Sequence, residues 1–190
     1  KEYLILKINK VNHEFNPNIH HRKSIRLKNY DYSQEGLYFI TICTENREKL
    51  FGEILNDNVG ADPCVCPVFK PNNAGEMIEK WLLELSNKFK NIKCDEYVIM
   101  PNHIHFIIEI LNQQGEHIGS PLPTIIQWFK TMTTNEYIKL VKQNKLPNFN
   151  KRVWQRNYYE NIIRTEEIHL KVAEYIKNNP LKWEEDRYYE

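Results

Sequence analysis

Residues 97–110 read Tyr-Val-Ile-Met-Pro-Asn-His-Ile-His-Phe-Ile-Ile-Glu-Ile, two apolar runs that meet at Pro101 and Asn102. Both runs are rich in β-branched and aromatic residues, which predicts two strands. Proline is tolerated where a strand begins because it lacks a donor for the hydrogen-bond ladder, so we expect the second strand to start at about His103. The stretch therefore predicts a hairpin in the middle of the chain.

Three elements are predicted on the N-terminal side of this hairpin. Residues 36–44 are β-branched and aromatic, which indicates a buried strand, and residues 51–55 add a short edge strand. Asn73, followed by Glu76 three residues on, gives a helix-start signal. Apolar residues then recur at helical spacing, at Met77, Ile78, Trp81, Leu82, Leu85 and Phe89.

The C-terminal side continues the alternation of helices and strands. Thr124 and Gln127 predict a capping box for a second helix, and residues 153–163 predict another strand. Thr165 is expected to cap a last helix that ends at Pro180. The order β-α-β-β-α-β-α favours an α+β fold, a ferredoxin-like antiparallel sheet with helices packed on it.

The chain length of 190 residues fits a single domain. We assign residues 1–21 to an N-terminal arm and residues 22–190 to the domain. Residues 59–67, Val-Gly-Ala-Asp-Pro-Cys-Val-Cys-Pro, depart from the Lys-, Asn- and Ile-rich surroundings and use residues with GC-rich codons. Residues 59–72 are therefore predicted to form an inserted loop without a catalytic role, and we hypothesise that a small mobile repeat landed there in frame.

Composition narrows the class of protein. Hydrophobic residues make up 41% of the chain and aromatic residues 12%, enough to bury a core, which excludes general disorder. No apolar stretch approaches the roughly 20 residues that cross a bilayer, and no signal-peptide core is present. These features predict a cytoplasmic protein without a membrane partner, and one associated with the nucleoid if it binds DNA.

The four cysteines, Cys43, Cys64, Cys66 and Cys94, do not resemble a secreted disulfide framework. Cys64 and Cys66 flank Val65, a spacing that could bind a soft metal, but the chain has no second pair at zinc-site spacing. Free thiols in a reducing compartment are the preferred interpretation.

Two groups of residues carry a chemical signal. His103 and His105 open a strand, so strand periodicity places both imidazoles on one face and turns Ile104 to the other. Two neutral imidazoles form half of a divalent-metal site, although such a pair also occurs as ordinary core or surface residues. Tyr175 and Asn179 lie four residues apart on the last helix and share one face of it.

Three blocks of the sequence resemble the REP-associated tyrosine transposases, relatives of the single-tyrosine transposases of small insertion sequences. The first is Met-Pro-Asn-His-Ile-His-Phe at 100–106. The second is Val-Trp-Gln-Arg-Asn-Tyr-Tyr-Glu-Asn-Ile-Ile-Arg at 153–164, and the third is Tyr-Ile-Lys-Asn-Asn-Pro at 175–180. Residues 22–44 also look like the start of this family, so the resemblance covers about residues 20–185.

This resemblance implies an endonuclease of the HUH type, named for two histidines that flank a hydrophobic residue. It implies that His103 and His105 bind Mg²⁺ or Mn²⁺, and that Asn179 is a third ligand where related enzymes use glutamine. By the same resemblance Tyr175 is the nucleophile, which would cut single-stranded DNA and keep a 5′-phosphotyrosine. Tyr158 and Tyr159 are rival nucleophiles on sequence alone.

DNA contacts are predicted from local charge, because the net charge is only +1. Residues 122–159 hold seven basic side chains and one acid, and residues 22–28 hold four basic side chains and no acid. Phosphate contacts and base stacking are therefore expected from Arg22, Lys23, Arg26, Lys130, Arg152, Trp154, Arg156 and Tyr158. The resemblance implies a short imperfect DNA hairpin with a single-stranded flank as target, bound by a monomer or a homodimer.

Two other functions are compatible with parts of this pattern. A replication initiator or relaxase nuclease of the HUH type would use the same chemistry, but such proteins usually carry further domains. A non-catalytic nucleic-acid-binding module would use the ferredoxin-like sheet to stack bases, but it leaves His103, His105 and Tyr175 without a purpose. A domesticated transposase that acts on chromosomal repeats fits as well as a self-mobilising one.

Overall fold

The computed structural model describes residues 30–57, 66–111 and 121–189. These residues form seven strands and three α-helices, joined in part by short 3₁₀ turns. Their bounds are β1 Gly36–Cys43, β2 Gly52–Asp57, β3 Cys66–Pro71, α1 Asn73–Lys88, β4 Ile92–Lys93, β5 Tyr97–Met100, β6 His103–Ile110, α2 Leu122–Lys142, β7 Tyr159–Ile163 and α3 Glu166–Asn178.

The main sheet is antiparallel and has β1 and β6 at its centre. β7 pairs with the free side of β1, while β4 and β5 pair with the two ends of the free side of β6. With β2 and β3 set aside as a separate hairpin, this is the predicted ferredoxin-like α+β arrangement, which is confirmed.

Alternation along the central strands divides the sheet into two faces. Ile40 and Ile42 of β1 and Ile104 and Phe106 of β6 are fully buried in the main core, which also contains the apolar faces of α1 and α2. The opposite face carries a smaller cluster in which Ile176 of α3 packs against the sheet. The last helix therefore covers the face to which the two histidines point.

Two of the three predicted helix starts need correction. The side-chain oxygen of Asn72, not Asn73, accepts hydrogen bonds from the first backbone N–H groups of α1. α2 begins at Leu122 behind Pro121, so Thr124 lies inside the helix rather than capping it. Pro123, the second residue of the helix, supplies a suitable φ there without needing its missing donor. The Thr165 cap is confirmed, since its hydroxyl accepts from the N–H of Ile168 at 3.3 Å.

The prediction of a loop over residues 59–72 is wrong for its second half. Cys66–Pro71 form β3, which pairs over six residues with β2, the predicted edge strand. Residues 58–65 lie outside the described part of the chain, and their origin as an insertion stays a prediction. The first turn of α1 packs closely on this hairpin, because a Cβ on Gly75 would lie only 2.3 Å from the Phe51 carbonyl oxygen and 2.8 Å from Pro71 Cβ.

The strand predicted over residues 153–163 is shorter than expected. Only Tyr159–Ile163 pair with β1 as a strand, and Trp154 makes a single bridge to Thr44. Cys43 and Cys94 are free and buried, as predicted, whereas the predicted arm at 1–21 falls outside the described residues. No helix in the described ranges is long and apolar enough to cross a membrane.

Replacing residues 58–65 by Asn-Gly should lower the melting temperature only slightly. Asp57 pairs with Cys66, so a two-residue turn can close the β2–β3 hairpin, and loop-closure entropy changes slowly with length. Gly75→Ala should cost clearly more, because its methyl group meets the Phe51 backbone. Thermal unfolding followed by circular dichroism measures both, and a collapse of folding in the loop variant would show that the segment is an integral element.

Candidate metal and nucleophile site

His103 and His105 lie at the start of β6, on the face covered by α3. Both are essentially inaccessible, at 0% and 1% exposure. Ile104 between them points into the core on the opposite face, as strand periodicity predicts. Their rings are adjacent, with centroids 4.5 Å apart.

Neighbouring side chains hold each imidazole by its Nδ1 atom. The Asn102 amide donates to the Tyr188 carbonyl at 2.8 Å, so its oxygen faces His103 and accepts from Nδ1 at 2.8 Å. Nε2 of His103 is then an acceptor, and it is buried without a hydrogen-bond partner. His105 Nδ1 lies 2.7 Å from the Thr41 hydroxyl on β1, the residue opposite it in the register.

Burial keeps both imidazoles neutral. Desolvation lowers the pKa of His103 to about 4, although the nearby Asp186 carboxylate opposes part of this shift. Desolvation, reinforced by His103, lowers the pKa of His105 well below its ordinary value. A neutral imidazole with a free Nε2 is the form that ligates a metal ion.

Tyr175 projects from α3 onto this pair. Its hydroxyl lies 3.2 Å from His105 Nε2 and 3.1 Å from Asp186 Oδ2, to which it donates. The side chain is 40% exposed, so it borders solvent as well as the histidines. Burial of the hydroxyl and then the Asp186 charge raise its pKa above the ordinary tyrosine value.

Asn179 also reaches the site from the end of α3, but its amide nitrogen donates to Asp186 Oδ2 at 2.8 Å. Its amide oxygen is buried without a hydrogen-bond partner. One ligand atom each of His103, His105 and Asp186 lies within 4.8 Å of the others. Asp186 was not predicted from the sequence, because Glu184-Glu185-Asp186 is typical of an acidic surface run and no spacing relates it to the histidines.

The segment that carries Asp186 folds back over the histidines. After α3 a 3₁₀ turn, Pro180–Glu185, leads into Asp186, Arg187 and Tyr188. The buried Tyr188 ring packs on the His103 ring with the two centroids 4.7 Å apart. The Trp183 ring lies against the same imidazole, with its centroid 6.0 Å away. Arg187 lies over the rings of Tyr188 and Tyr159 and donates to the Tyr188 hydroxyl.

Tyr158 and Trp154 were predicted to stack on bases, and this prediction is wrong. They are only 6% and 4% exposed and belong to the core on the other side of the sheet. The Trp154 ring lies against Phe51 and Phe129, and its indole N–H donates to Thr133 at 2.9 Å. Tyr159, by contrast, is exposed and lies opposite Thr41 in the register, on the histidine face.

Only some of the basic residues predicted to contact DNA lie close together in the structure. Lys130, Arg152 and Arg156 border one shallow surface depression. The Lys130 ammonium donates to the carbonyls of residues 155–157, and Arg152 pairs with Glu45 at 3.4 Å, while Arg156 is exposed. Arg22, Lys23 and Arg26 lie outside the described residues.

A cavity of about 460 Å³ opens beside the Tyr175 hydroxyl. Tyr175, Asn179 and Asp186 form part of its wall, which also contains the cations Lys171, Lys182 and Arg187 and the acids Glu174 and Glu185. The arrangement offers two neutral imidazoles, a carboxylate and an amide oxygen beside an accessible phenol. It can therefore hold a divalent cation next to a nucleophile, with cations available for an anionic substrate.

Most of the chain matches a known protein family. The family model described as "Transposase IS200 like" matches residues 33–179. A Haemophilus influenzae protein of uncharacterised function is 40% identical over 185 residues, which span 93% of this chain and 97% of that protein. A second protein from the same organism, named provisionally as a REP-associated tyrosine transposase, is 23% identical over 82% of this chain and 77% of its own length.

A solved structure has the same fold. It is the REP-associated tyrosine transposase bound to a REP hairpin, with a TM-score of 0.52 and 15% identity. The match covers 85% of this chain and 74% of the other.

The buried histidines make the metal-free protein sensitive to acid. Since their folded-state pKa values lie below the unfolded value, the unfolded chain binds more protons between pH 6.5 and about 4, and stability falls as the pH falls through that window. The slope can reach about 1.4 kcal/mol per pH unit for each histidine. Urea unfolding in EDTA should show it, and His103→Gln with His105→Gln should flatten it.

A matched control for this experiment is His169→Gln. His169 is partly exposed and bonds Glu96 at 3.0 Å, away from the site. Its removal should leave the acid slope of the buried pair in place. An unchanged slope in the double variant would contradict the assignment.

Proposed function

This chain belongs to the IS200-like transposase family, a family of DNA transposases, and we propose that it cuts and rejoins single-stranded DNA through a covalent bond to Tyr175. The observation that carries the proposal is the position of the Tyr175 hydroxyl. It lies 3.2 Å from His105 Nε2, and Tyr175 lines an open cavity together with Asp186. In this proposal α3 and the two histidines come from the same chain.

The proposed reaction is a transesterification at phosphorus. The Tyr175 Oη forms a bond to the scissile phosphorus, and the bond from phosphorus to the 3′-oxygen breaks. The phenol proton leaves to solvent in the cavity, and the departing 3′-oxygen takes up a proton from solvent. The phosphotyrosine conserves the bond energy, so a free 3′-hydroxyl can later reverse the step and join a new strand without ATP.

The competing tyrosines are less suitable. Tyr158 and Tyr188 are buried, at 6% and 3% exposure, so a phosphodiester could not reach either hydroxyl without a rearrangement. Tyr159 is exposed, but its ring faces the Arg187 guanidinium at 5.5 Å. Tyr175 combines a hydroxyl 3.2 Å from His105 Nε2 with 40% exposure to solvent.

The residues present fit a divalent cation. His103 Nε2 and Asn179 Oδ1 are buried acceptors without hydrogen-bond partners, and both belong to residues that face Asp186. Two imidazoles with oxygen donors suit Mg²⁺ or Mn²⁺, with Mn²⁺ the better match to nitrogen. Bound there, such an ion would supply positive charge to the phosphoryl oxygens as negative charge develops on them.

The proposed substrate is a DNA hairpin with a single-stranded flank. The support is the fold shared with a transposase solved on a REP hairpin. We assign the phosphate contacts of the flank to Lys171, Lys182 and Arg187, which line the cavity beside Glu174 and Glu185. Tyr159 offers an exposed ring on the same face, where an unpaired base can stack.

Tyr175→Phe should abolish cleavage and the covalent adduct together. The substitution removes one oxygen and keeps the ring that packs against Phe39 and His105, so the fold and hairpin binding should persist. Loss of a nucleophile lowers the rate on the order of a thousandfold or more. A suicide hairpin substrate on a denaturing gel measures both products, and peptide mass spectrometry locates the adduct.

Tyr159→Phe is the matched control, since it removes the same atom from another exposed tyrosine on this face. It should retain most of the cleavage. A nucleotide found on Tyr159 would show that this residue of β7, and not Tyr175, is the nucleophile. No adduct with any hairpin, single-stranded or duplex, would favour the non-catalytic binding module instead.

His103→Ala and His105→Ala should each abolish cleavage and leave hairpin affinity within about threefold, because phosphate contacts dominate binding. Thermal melting checks that each variant is folded, and electrophoretic mobility shift measures affinity. Undiminished cleavage by the wild-type protein in EDTA would reject metal catalysis.

A further inference from the structure

We propose that Asp186, not Asn179, is the third ligand of the metal site at His103 and His105, and that Asn179 positions the Asp186 carboxylate. This inference rests on the proposed function, because it concerns the same site. It adds a ligand from the segment that follows the last helix, outside the residues 33–179 that the family model matches.

The ligand atoms converge from separate parts of the fold. His103 and His105 are at the start of β6, whereas Asp186 follows the 3₁₀ turn after α3. The three side chains nevertheless bring one ligand atom each to within 4.8 Å of the others. Both imidazoles are tied at Nδ1 by Asn102 and Thr41, so their Nε2 atoms are the ones available to a cation.

An unsatisfied acceptor marks the centre of this group. His103 is fully buried, yet its Nε2 has no hydrogen-bond partner among the described residues. Buried polar atoms are almost always partnered in folded proteins. The exception here points toward a cationic partner, since the neighbouring carboxylate of Asp186 can only accept hydrogen bonds and cannot donate to Nε2.

Asp186 is a better third ligand than Asn179 for two reasons. The Asn179 amide nitrogen donates to Asp186 Oδ2 at 2.8 Å, so this side chain already holds the carboxylate in place, although its own Oδ1 has no hydrogen-bond partner. A carboxylate also supplies a negative charge that two neutral imidazoles lack. A doubly charged cation of the Mg²⁺ or Mn²⁺ type favours such an oxygen ligand over a neutral amide.

The carboxylate is held in place by its own segment. Asp186 Oδ1 accepts from the N–H of Tyr188 at 2.7 Å, and the Asp186 N–H donates to the Trp183 carbonyl at 3.1 Å. The Tyr188 carbonyl accepts from Asn102 at 2.8 Å, and the buried Tyr188 and Trp183 rings pack on His103. Asn102 therefore links the Asp186 segment to the imidazole, as supporting residues do at metal sites.

The position of Asp186 also joins the metal site to the nucleophile. Its Oδ2 accepts from the Tyr175 hydroxyl at 3.1 Å, and that hydroxyl lies 3.2 Å from His105 Nε2. A cation that engages the carboxylate competes with this hydrogen bond. Metal binding would then release the phenol from its acceptor.

The first test measures Mn²⁺ binding to DNA-free protein by electron paramagnetic resonance titration. Asp186→Asn keeps the side-chain shape and the acceptor for Tyr188, but it should weaken Mn²⁺ binding by at least about tenfold. Glu185→Gln, which removes the neighbouring acid at the same cavity, should stay within about twofold of the wild type. Wild-type affinity in Asp186→Asn would overturn the proposal.

The second test identifies the ligand directly with Co²⁺ as a spectroscopic probe. Asp186→Cys should add a sulfur-to-cobalt charge-transfer band that the wild type lacks, whereas Asn179→Cys and Glu185→Cys should not. The band in Asn179→Cys, or its absence from Asp186→Cys, would contradict the assignment.

His103→Ala separates this inference from the proposed function. If it loses Mn²⁺ while Asp186→Asn retains it, the histidine site stands and only the third ligand is wrong. If His103→Ala also binds Mn²⁺ like the wild type, the result contradicts a metal site at the histidines and therefore also the assignment of Asp186 as its ligand.

Discussion

The antiparallel pairing of β1 with β6 is the constraint on which the rest of the structure depends. Its register places Thr41 opposite His105 and Cys43 opposite His103, while Ile40, Ile42, Ile104 and Phe106 fill the core behind them. A slip of one residue would turn the histidines into the core and the isoleucines toward α3. Burial of the apolar face therefore also determines that His103 and His105 lie on the face covered by α3.

The histidines of the site are buried, whereas its tyrosine is partly exposed. His103 and His105 lie under the aromatic rings of Tyr188, Trp183 and Phe39, where desolvation lowers their pKa values and keeps both imidazoles neutral. Tyr175 stands at the boundary, with its hydroxyl against His105 and its side chain partly in solvent. The proposed role of Tyr175 as nucleophile for a macromolecular substrate needs this boundary position, whereas the proposed metal ligands do not.

The C-terminal segment is as much a part of the site as the sheet. Pro180–Glu185 carry the chain from α3 back across the histidines, and β3 of the small hairpin contacts this turn. The hairpin therefore supports the segment that delivers Asp186. The strand β3 was not predicted. The compositional break at residues 59–67 overlaps its start, so residues 59–72 were predicted to form an inserted loop.

The sequence by itself determined the order of the main strands and helices apart from β3 and β4, the facing of the histidine pair and the helix that bears Tyr175, because these follow from local periodicity. The three sequence blocks sufficed to indicate the family. Only the tertiary structure decided the burial of Trp154 and Tyr158, the start of β3 and the approach of Asp186. Each of these depends on contacts between residues distant in the chain, such as Asp186 with Tyr175 and Asn102 with Tyr188, for which the sequence carries no periodic signal.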